Sequence, residues 1–329
     1  MTGIDRRVRV VVKCAAACAA ILFAAAVQAQ SYPARPIQVV VPMAAGSGTD
    51  IHARILMEEL RKILNTSIVV VNKPGAFMTV GTDAVAKARK DGYTLLYGPA
   101  TGITYSKALE PDTVPYDPIK DLEPLGLHAF FPVVIAVPSN SPWKNLNEFI
   151  EDGKKNPGKI RISTPGLQTT SSFNVVIIEG LTGAKYLQVP YKDIVAGVTD
   201  MMGGQVEATT QSLSVVAPFV ADGRIRILVT SRKVKEYPNV PVLEELGYKA
   251  ELYSPWFAMY APAGTPQEVI NVLVPAVKKA MESPETVARI NKIGGTLIEY
   301  KTPADLKKME IEEIEAISAL GAKMGLRKP

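Results

Sequence analysis

The chain has 329 residues, of which 37 are lysine or arginine and 32 are aspartate or glutamate, and 47% are hydrophobic. This length accommodates about two domains with hydrophobic cores, and this hydrophobicity excludes an intrinsically disordered chain. Both cysteines, Cys14 and Cys18, precede residue 20, so we expect neither a structural disulfide nor a metal site in the rest of the chain. The only histidines are His52 and His128, which leaves little for general-base chemistry.

Residues 1–29 have the three parts of an export signal. Four basic residues precede an alanine-rich apolar run, and Val27-Gln28-Ala29 is a small–x–small cleavage site. We predict cleavage after Ala29 and a location outside the cytoplasm. The apolar run, about 14 residues long, is too short for a helix across ~30 Å of hydrocarbon. Twin-arginine export through Arg6 and Arg7, or a lipid anchor at Cys18, fits the flanking residues less well.

Without residues 1–29 the chain keeps 33 basic and 31 acidic residues, a net charge of +2. Its lysines are interspersed with acids, which is typical of solvated faces rather than of a nucleic-acid-binding stripe. No second segment reaches the length that spans a membrane. We therefore expect a soluble protein that does not bind nucleic acid.

The remaining chain alternates short β-branched runs with segments of helical periodicity. The first unit has predicted strands over 37–41, 68–71 and 93–97 and predicted helices over 49–64 and 80–90. This order predicts parallel strands with right-handed crossovers. Thr49 and Asp50 open the first helix, and we interpret Asp50 as a structural cap because an acid in the first turn suits the helix dipole.

A second series follows a proline-rich connection over 111–124. Its predicted strands are 133–137, 160–163, 186–189, 206–210 and 225–230, with helices over 146–155, from about 171 to 181, over 193–202 and over 213–222. A strand over 256–261 and helices over 267–281 and 303–320 are predicted to return to the first unit. The whole pattern indicates the α/β class.

Two turns between a strand and a helix have an unusual composition. The first is Ala44-Ala45-Gly46-Ser47-Gly48-Thr49, in which two glycines allow close approach to the backbone and two side chains supply hydroxyl groups. The second runs from Pro165 to Ser171 and is rich in threonine and serine. Ligands of open α/β sheets lie at the carboxyl ends of strands, where helix N-termini present N–H groups. We hypothesise that the two turns face each other across a cleft and bind an anion without arginine, although each alone also fits a simple capped turn.

Enzymatic motifs are incomplete at the first turn. The dinucleotide fingerprint and the P-loop are not met, and Ala45 is incompatible with a nucleophile elbow around Ser47. A secreted serine hydrolase that uses Ser47 and His52 is the alternative, but no acid is placed to orient the imidazole. We expect His52 to cap the helix or lie on the surface and His128 to be structural. We predict no catalytic residues and no cofactor.

Eight segments along the chain carry a family resemblance. They are Tyr32–Ile37, Val41–Asp50, Asn72–Ala76, Asp91–Leu96, Tyr116–Pro118, Val189–Lys192, Gly203–Val206 and Ala261–Pro266. In this order the chain resembles the Bug-type extracytoplasmic solute receptors of tripartite tricarboxylate transporters over essentially its whole mature length.

The resemblance implies a two-domain periplasmic-binding-protein fold (type II-like) with a ligand cleft between the domains. Domain 1 would comprise 30–132 plus 255–329, and domain 2 would comprise 133–254. Receptors of this family hold a small carboxylate through backbone groups and ordered waters, at turns that match Ala44–Thr49 and Gly166–Ser171 here. They are usually monomers and deliver the ligand in the periplasm to a membrane permease of two subunits. The predicted site further includes Phe77, Thr101, Gly166, Thr169, Ser171, Tyr191 and Gln211.

Departures from the family pattern concern the ligand. Phe77 and Met78 stand where the family usually has small residues, Gln211 replaces a common acid, and Ser172 replaces a frequent histidine. An aromatic wall and a lost acid favour an anionic ligand with an apolar body, and an aromatic dicarboxylate such as terephthalate is the leading candidate. Phe77 could equally be packed under the neighbouring helix. Tyr253, Trp256 and Phe257 could line the cleft or belong to the core.

Overall fold

The computed structural model describes residues 32–167 and 169–326, so the predicted signal peptide and its cleavage after Ala29 lie outside the described residues. Two mixed sheets form the centre of the molecule. The six-stranded sheet has the order β11-β4-β10-β3-β1-β2, and the five-stranded sheet has the order β7-β6-β8-β5-β9. The strands are β1 Ile37–Val41, β2 Ile68–Asn72, β3 Thr94–Pro99, β4 Leu122–Phe130, β5 Val133–Pro138, β6 Arg161–Thr164, β7 Leu187–Pro190, β8 Ala208–Ser212, β9 Ile225–Thr230, β10 Trp256–Pro262 and β11 Leu297–Lys301.

Helices pack on the faces of both sheets, as expected for the α/β class. They are α1 Gly48–Leu64, α2 Thr79–Ala86, α3 Thr104–Leu109, α4 Pro118–Asp121, α5 Leu146–Lys155, α6 Thr170–Thr182, α7 Ile194–Met202, α8 Leu213–Ala221, α9 Gln267–Met281, α10 Pro284–Ile293 and α11 Pro303–Lys323. In the described part of the chain, none of these helices is long and apolar enough to cross a bilayer.

The parallel arrangement predicted for the first unit is confirmed, because β1 pairs in parallel with both β2 and β3. The sequence prediction missed strands β4 and β11 and helices α3, α4 and α10. The predicted end of the proline-rich connection, residue 124, is wrong because β4 already begins at Leu122. Strand β4 escapes the pattern because it is buried almost throughout and contains Pro124 and Gly126, which interrupt any period.

The chain passes between the two sheets twice, and the two passages are hydrogen-bonded to each other. Phe131 and Pro132 connect β4 to β5, and the segment 231–255 connects β9 to β10. The amide of Phe131 donates to the carbonyl of Pro255 at 2.8 Å, and the amide of Val133 donates to the Ser231 hydroxyl at 2.8 Å. These bonds hold the two connections side by side.

Helix α11 contributes two buried carboxyl groups to the core of the first sheet. Glu313 is 6% exposed and accepts hydrogen bonds from the hydroxyl of Thr104, at 2.6 Å, and from the indole of Trp256, at 3.0 Å. Glu310 is 1% exposed and accepts from the phenol of Tyr260. Burial raises the pKa of Glu313 to about 7 and that of Glu310 to about 8.

Candidate binding site at the carboxyl edges of the two sheets

The first turn leads from β1 into α1 and presents unpaired backbone donors. Ser47 is the N-cap, and its hydroxyl oxygen accepts from the amide of Asp50 at 3.3 Å. The hydroxyl proton of Ser47 therefore stays available for donation. Gly48 and Thr49 are the first residues of the helix, so their N–H groups have no intrahelical partner. The turn is exposed from Ala44 to Gly46, while the side chain of Thr49 is buried.

Asp50 fixes the shape of this turn. Its buried carboxylate accepts from the amide of Gly46, from Nε of Arg54 and from Nδ2 of Asn72, each at 2.9 Å. Burial by itself would raise the pKa of Asp50, but the hydrogen bonds from Arg54, Gly46 and Asn72 outweigh it and lower the pKa. These bonds agree with the structural role predicted for Asp50. They also occupy the Gly46 amide, which leaves the donors of Gly48 and Thr49 for a ligand.

One of the two sequence expectations, that His52 lies on the surface, is wrong. It is 2% exposed, with Nδ1 2.7 Å from the carbonyl of Gly48 and Nε2 3.2 Å from the hydroxyl of Thr296. Burial lowers its pKa. Both ring nitrogens are thus engaged, and neither contacts Ser47, so the nucleophile–base pair of the hydrolase alternative is not formed. His128 is structural as predicted: it is fully buried, it bonds the phenol of Tyr97, and burial lowers its pKa to about 3.

The second turn leads from β6 into α6. Thr169 is the N-cap, and its hydroxyl accepts from the amide of Ser172 at 3.3 Å while it donates to the carbonyl of Gly166 at 2.7 Å. Thr170 and Ser171 are the first two residues of the helix, so their N–H groups also lack intrahelical partners. The carbonyl of Ser171 accepts a hydrogen bond from the hydroxyl of Thr210, and this bond joins the start of α6 to β8.

Gln211 lies near the carboxyl end of β8, directly after Thr210. It is 2% exposed, and its Nε2 has no hydrogen-bond partner among the residues that the structure describes. A buried amide donor without a partner costs about 1–3 kcal/mol. Strand β8 runs parallel to β6, so Gln211 and the second turn share one edge of the five-stranded sheet. Tyr191 follows β7 at the same edge, but its phenol donates to Asp200 at 2.8 Å.

Phe77 and Thr101 line one cavity of about 190 Å³ at the carboxyl edge of the first sheet. The Phe77 side chain is 63% exposed, so packing under the neighbouring helix, one of the two readings of the sequence, is wrong. The hydroxyl of Ser106 donates to the carbonyl of Thr101 at 2.6 Å and lies 3.3 Å from the carbonyl of Phe77. Of the three aromatic residues near the second passage, Trp256 and Phe257 belong to the core and Tyr253 is half-buried.

A contact between the lobes brings the two edges together. The hydroxyl of Thr170 donates to the phenol oxygen of Tyr105 at 3.0 Å, and the rings of Tyr105 and Phe173 stack at 5.7 Å. The second turn therefore lies beside the segment that carries Thr101. Sequence reasoning missed Tyr105, because a tyrosine in a six-residue helix gives no periodic signal.

The two edges have the architecture of a periplasmic solute-binding protein: two α/β lobes, two chain passages, and helix N-termini at the facing ends of the strands. The sequence model of one protein family, described as 'tripartite tricarboxylate transporter family receptor', matches residues 52–326. The chain therefore belongs to this family. Within the described residues no group of histidine, cysteine, aspartate and glutamate could hold a metal ion.

Individual relatives agree with this assignment. BugT of Bordetella pertussis is 32% identical over 308 residues, which cover 92% of this chain and 94% of BugT. The structure of the periplasmic binding protein BugD is 30% identical, covers 91% of this chain and 100% of BugD, and has a TM-score of 0.67. The R. palustris protein Rpa4515, solved with adipate, is 26% identical, covers 90% of this chain and 99% of its own, and has a TM-score of 0.70. The predicted family and fold are thereby confirmed.

Proposed function

We propose that this receptor captures a small carboxylate in the periplasm and delivers it to a two-subunit membrane permease, acting as a monomer without catalysis or a cofactor. The ligand-binding residues of the proposal are Ala44, Ala45, Gly46, Ser47, Gly48, Thr49, Phe77, Thr101, Gly166, Thr169, Ser171, Tyr191 and Gln211. The leading ligand is an aromatic dicarboxylate such as terephthalate. The proposed domains are 30–132 plus 255–329 and 133–254, with boundaries at the two passages between the sheets.

The observation that carries the proposal is a pair of helix starts at the carboxyl edges of the two sheets, Gly48–Thr49 and Thr170–Ser171, whose N–H groups lack intrahelical partners. A carboxylate accepts from such N–H groups, whereas a cation would meet only the positive ends of the helix dipoles. Neither turn contains an acid that is free to repel the ligand, since Asp50 is held by three donors of the protein.

The energies are sufficient without arginine. A charge-assisted hydrogen bond contributes about 1.5–3 kcal/mol, and a partly buried helix N-terminus contributes up to about 2 kcal/mol more. Three or four such donors support a dissociation constant near the micromolar range, about −8 kcal/mol, after the ligand and side chains have been ordered. The adipate complex of Rpa4515 supports a carboxylate ligand for this chain as well.

The decisive experiment is a thermal-shift screen of the purified chain from residue 30 onward. The panel contains mono-, di- and tricarboxylates, both aliphatic and aromatic, with the corresponding primary amides as uncharged controls. A carboxylate present at a hundred times its Kd stabilises the folded state by about 2.7 kcal/mol, and its amide gives no shift. If no carboxylate shifts the melting temperature, the proposal is wrong.

A second measurement addresses the hydrolase alternative. Ester and amide substrates are incubated with the wild-type chain and with His52→Ala. We expect no turnover by either protein, because both nitrogens of His52 bond to other groups. A rate that disappears in the variant would favour the enzyme instead.

A further inference from the structure

Three consecutive residues after Gly75 have left-handed backbone conformations. The φ angles of Ala76, Phe77 and Met78 are 41°, 49° and 72°. Residues with a Cβ rarely adopt this region, and a run of three is costly because each Cβ crowds the following carbonyl. Strained backbone of this kind persists only where its surroundings over-determine it.

The surroundings do so with three hydroxyl groups. The hydroxyl of Thr79 donates to the carbonyl of Ala76 at 2.7 Å, that of Thr82 donates to the carbonyl of Met78 at 2.9 Å, and that of Ser106 lies 3.3 Å from the carbonyl of Phe77. Two of these donors lie on α2 and one lies on α3, so the segment is clamped between two helices. The phenyl ring of Phe77 lies at the surface, because the residue is 63% exposed.

The exposed ring forms one wall of the cavity of about 190 Å³. Leu109, Val114 and the ring of Tyr105 supply further apolar lining, and Tyr105 is the residue that contacts the second turn through Thr170. The charged lining residue is Glu110, and the lining includes neither lysine nor arginine. The cavity therefore suits an uncharged group and disfavours a carboxylate.

We propose that this cavity is a subsite for an aromatic ring of the bound carboxylate, and that the strained backbone of Phe77 places its ring as the wall of that subsite. The inference rests on the proposed function, because it assumes that the carboxylate groups are held at the two turns. A ring against Phe77 gains a flat apolar contact. The cavity then selects ligands by their uncharged body, and the two turns select them by their carboxylate groups.

The test separates backbone strain from ring contact with three variants. Phe77→Ala and Phe77→Gly both remove the ring, but only glycine relieves the left-handed strain. We expect Phe77→Gly to melt about 2 °C or more above Phe77→Ala without ligand. Ala84→Gly, within helix α2, is the control for the usual case, in which glycine is less stable than alanine, so this variant should have a lower melting temperature than the wild type. Equal or lower stability of Phe77→Gly relative to Phe77→Ala would overturn the strain argument.

Binding is measured with terephthalate, benzoate and adipate. Both Phe77 variants are expected to weaken the aromatic ligands by about tenfold or more and to leave adipate within about twofold. Met78→Gly relieves neighbouring strain but keeps the ring, so its affinities match the wild type. Equal losses for adipate and the aromatic ligands, or no loss at all, would overturn the subsite while the carboxylate receptor stands. Failure of the wild type to bind any of the three, or any other carboxylate, would remove the proposed function and the subsite together.

Discussion

Glu313 makes the stability of this protein depend on pH in a way that a single substitution should remove. Its carboxyl group is buried against α3 and β10, where it accepts from Thr104 and Trp256. Burial raises its pKa from 4.5 to about 7, so between these values the folded chain holds a proton that the unfolded chain releases. The stabilisation is therefore complete below pH 4.5 and is lost as the pH rises through 7.

The magnitude follows from the two pKa values. At about 1.4 kcal/mol for each unit of difference, the contribution of Glu313 to the free energy of unfolding falls by about 2–3 kcal/mol between pH 5 and pH 8. Glu313→Gln keeps an oxygen that accepts from Thr104 and Trp256 but carries no titrating proton. We expect this variant to match the wild type at pH 5 and to exceed its stability by about 2–3 kcal/mol at pH 8.

The assay is urea unfolding of both proteins at pH 5, 6, 7 and 8, followed by tryptophan fluorescence and circular dichroism. Glu312→Gln is the matched control, because Glu312 is the neighbouring residue on α11 and its side chain is 66% exposed. Its difference from the wild type should not change over this range. A Glu313→Gln protein whose difference from the wild type is the same at pH 5 and pH 8 would refute the reasoning.

Two further predictions concern the binding turns. Ser47→Ala and Ser283→Ala each remove an N-cap and should each cost about 1 kcal/mol of stability. Isothermal titration should find weaker carboxylate binding only in Ser47→Ala, and equal affinities would contradict the role of that hydroxyl. Gln211→Glu replaces a donor with a like charge and should weaken carboxylate binding more than tenfold, whereas the exposed control Gln205→Glu should not.

The sequence by itself determined the local structure of this protein. The β-α-β-α-β order over 37–97 and the composition of both turns depend on residues close together in the chain, although the first helix begins at Gly48 with Ser47 as its cap, not at Thr49 as predicted. Propensity, hydrophobic period and capping are local effects, so they can be read without knowledge of the fold.

Only the tertiary structure decided which of these local features meet. Strand β4 is stabilised by β10 and β11, which lie more than 120 residues away, and its own pattern gave no signal. The burial of His52, the contact between Thr170 and Tyr105, and the unpaired amide of Gln211 likewise depend on distant segments. One of the hydroxyl groups at the left-handed segment, that of Ser106, lies 29 residues from Phe77 in the chain. Such contacts follow from the packing of the whole chain. They join residues that are far apart in the sequence, and neither neighbourhood alone has a pattern that indicates the contact.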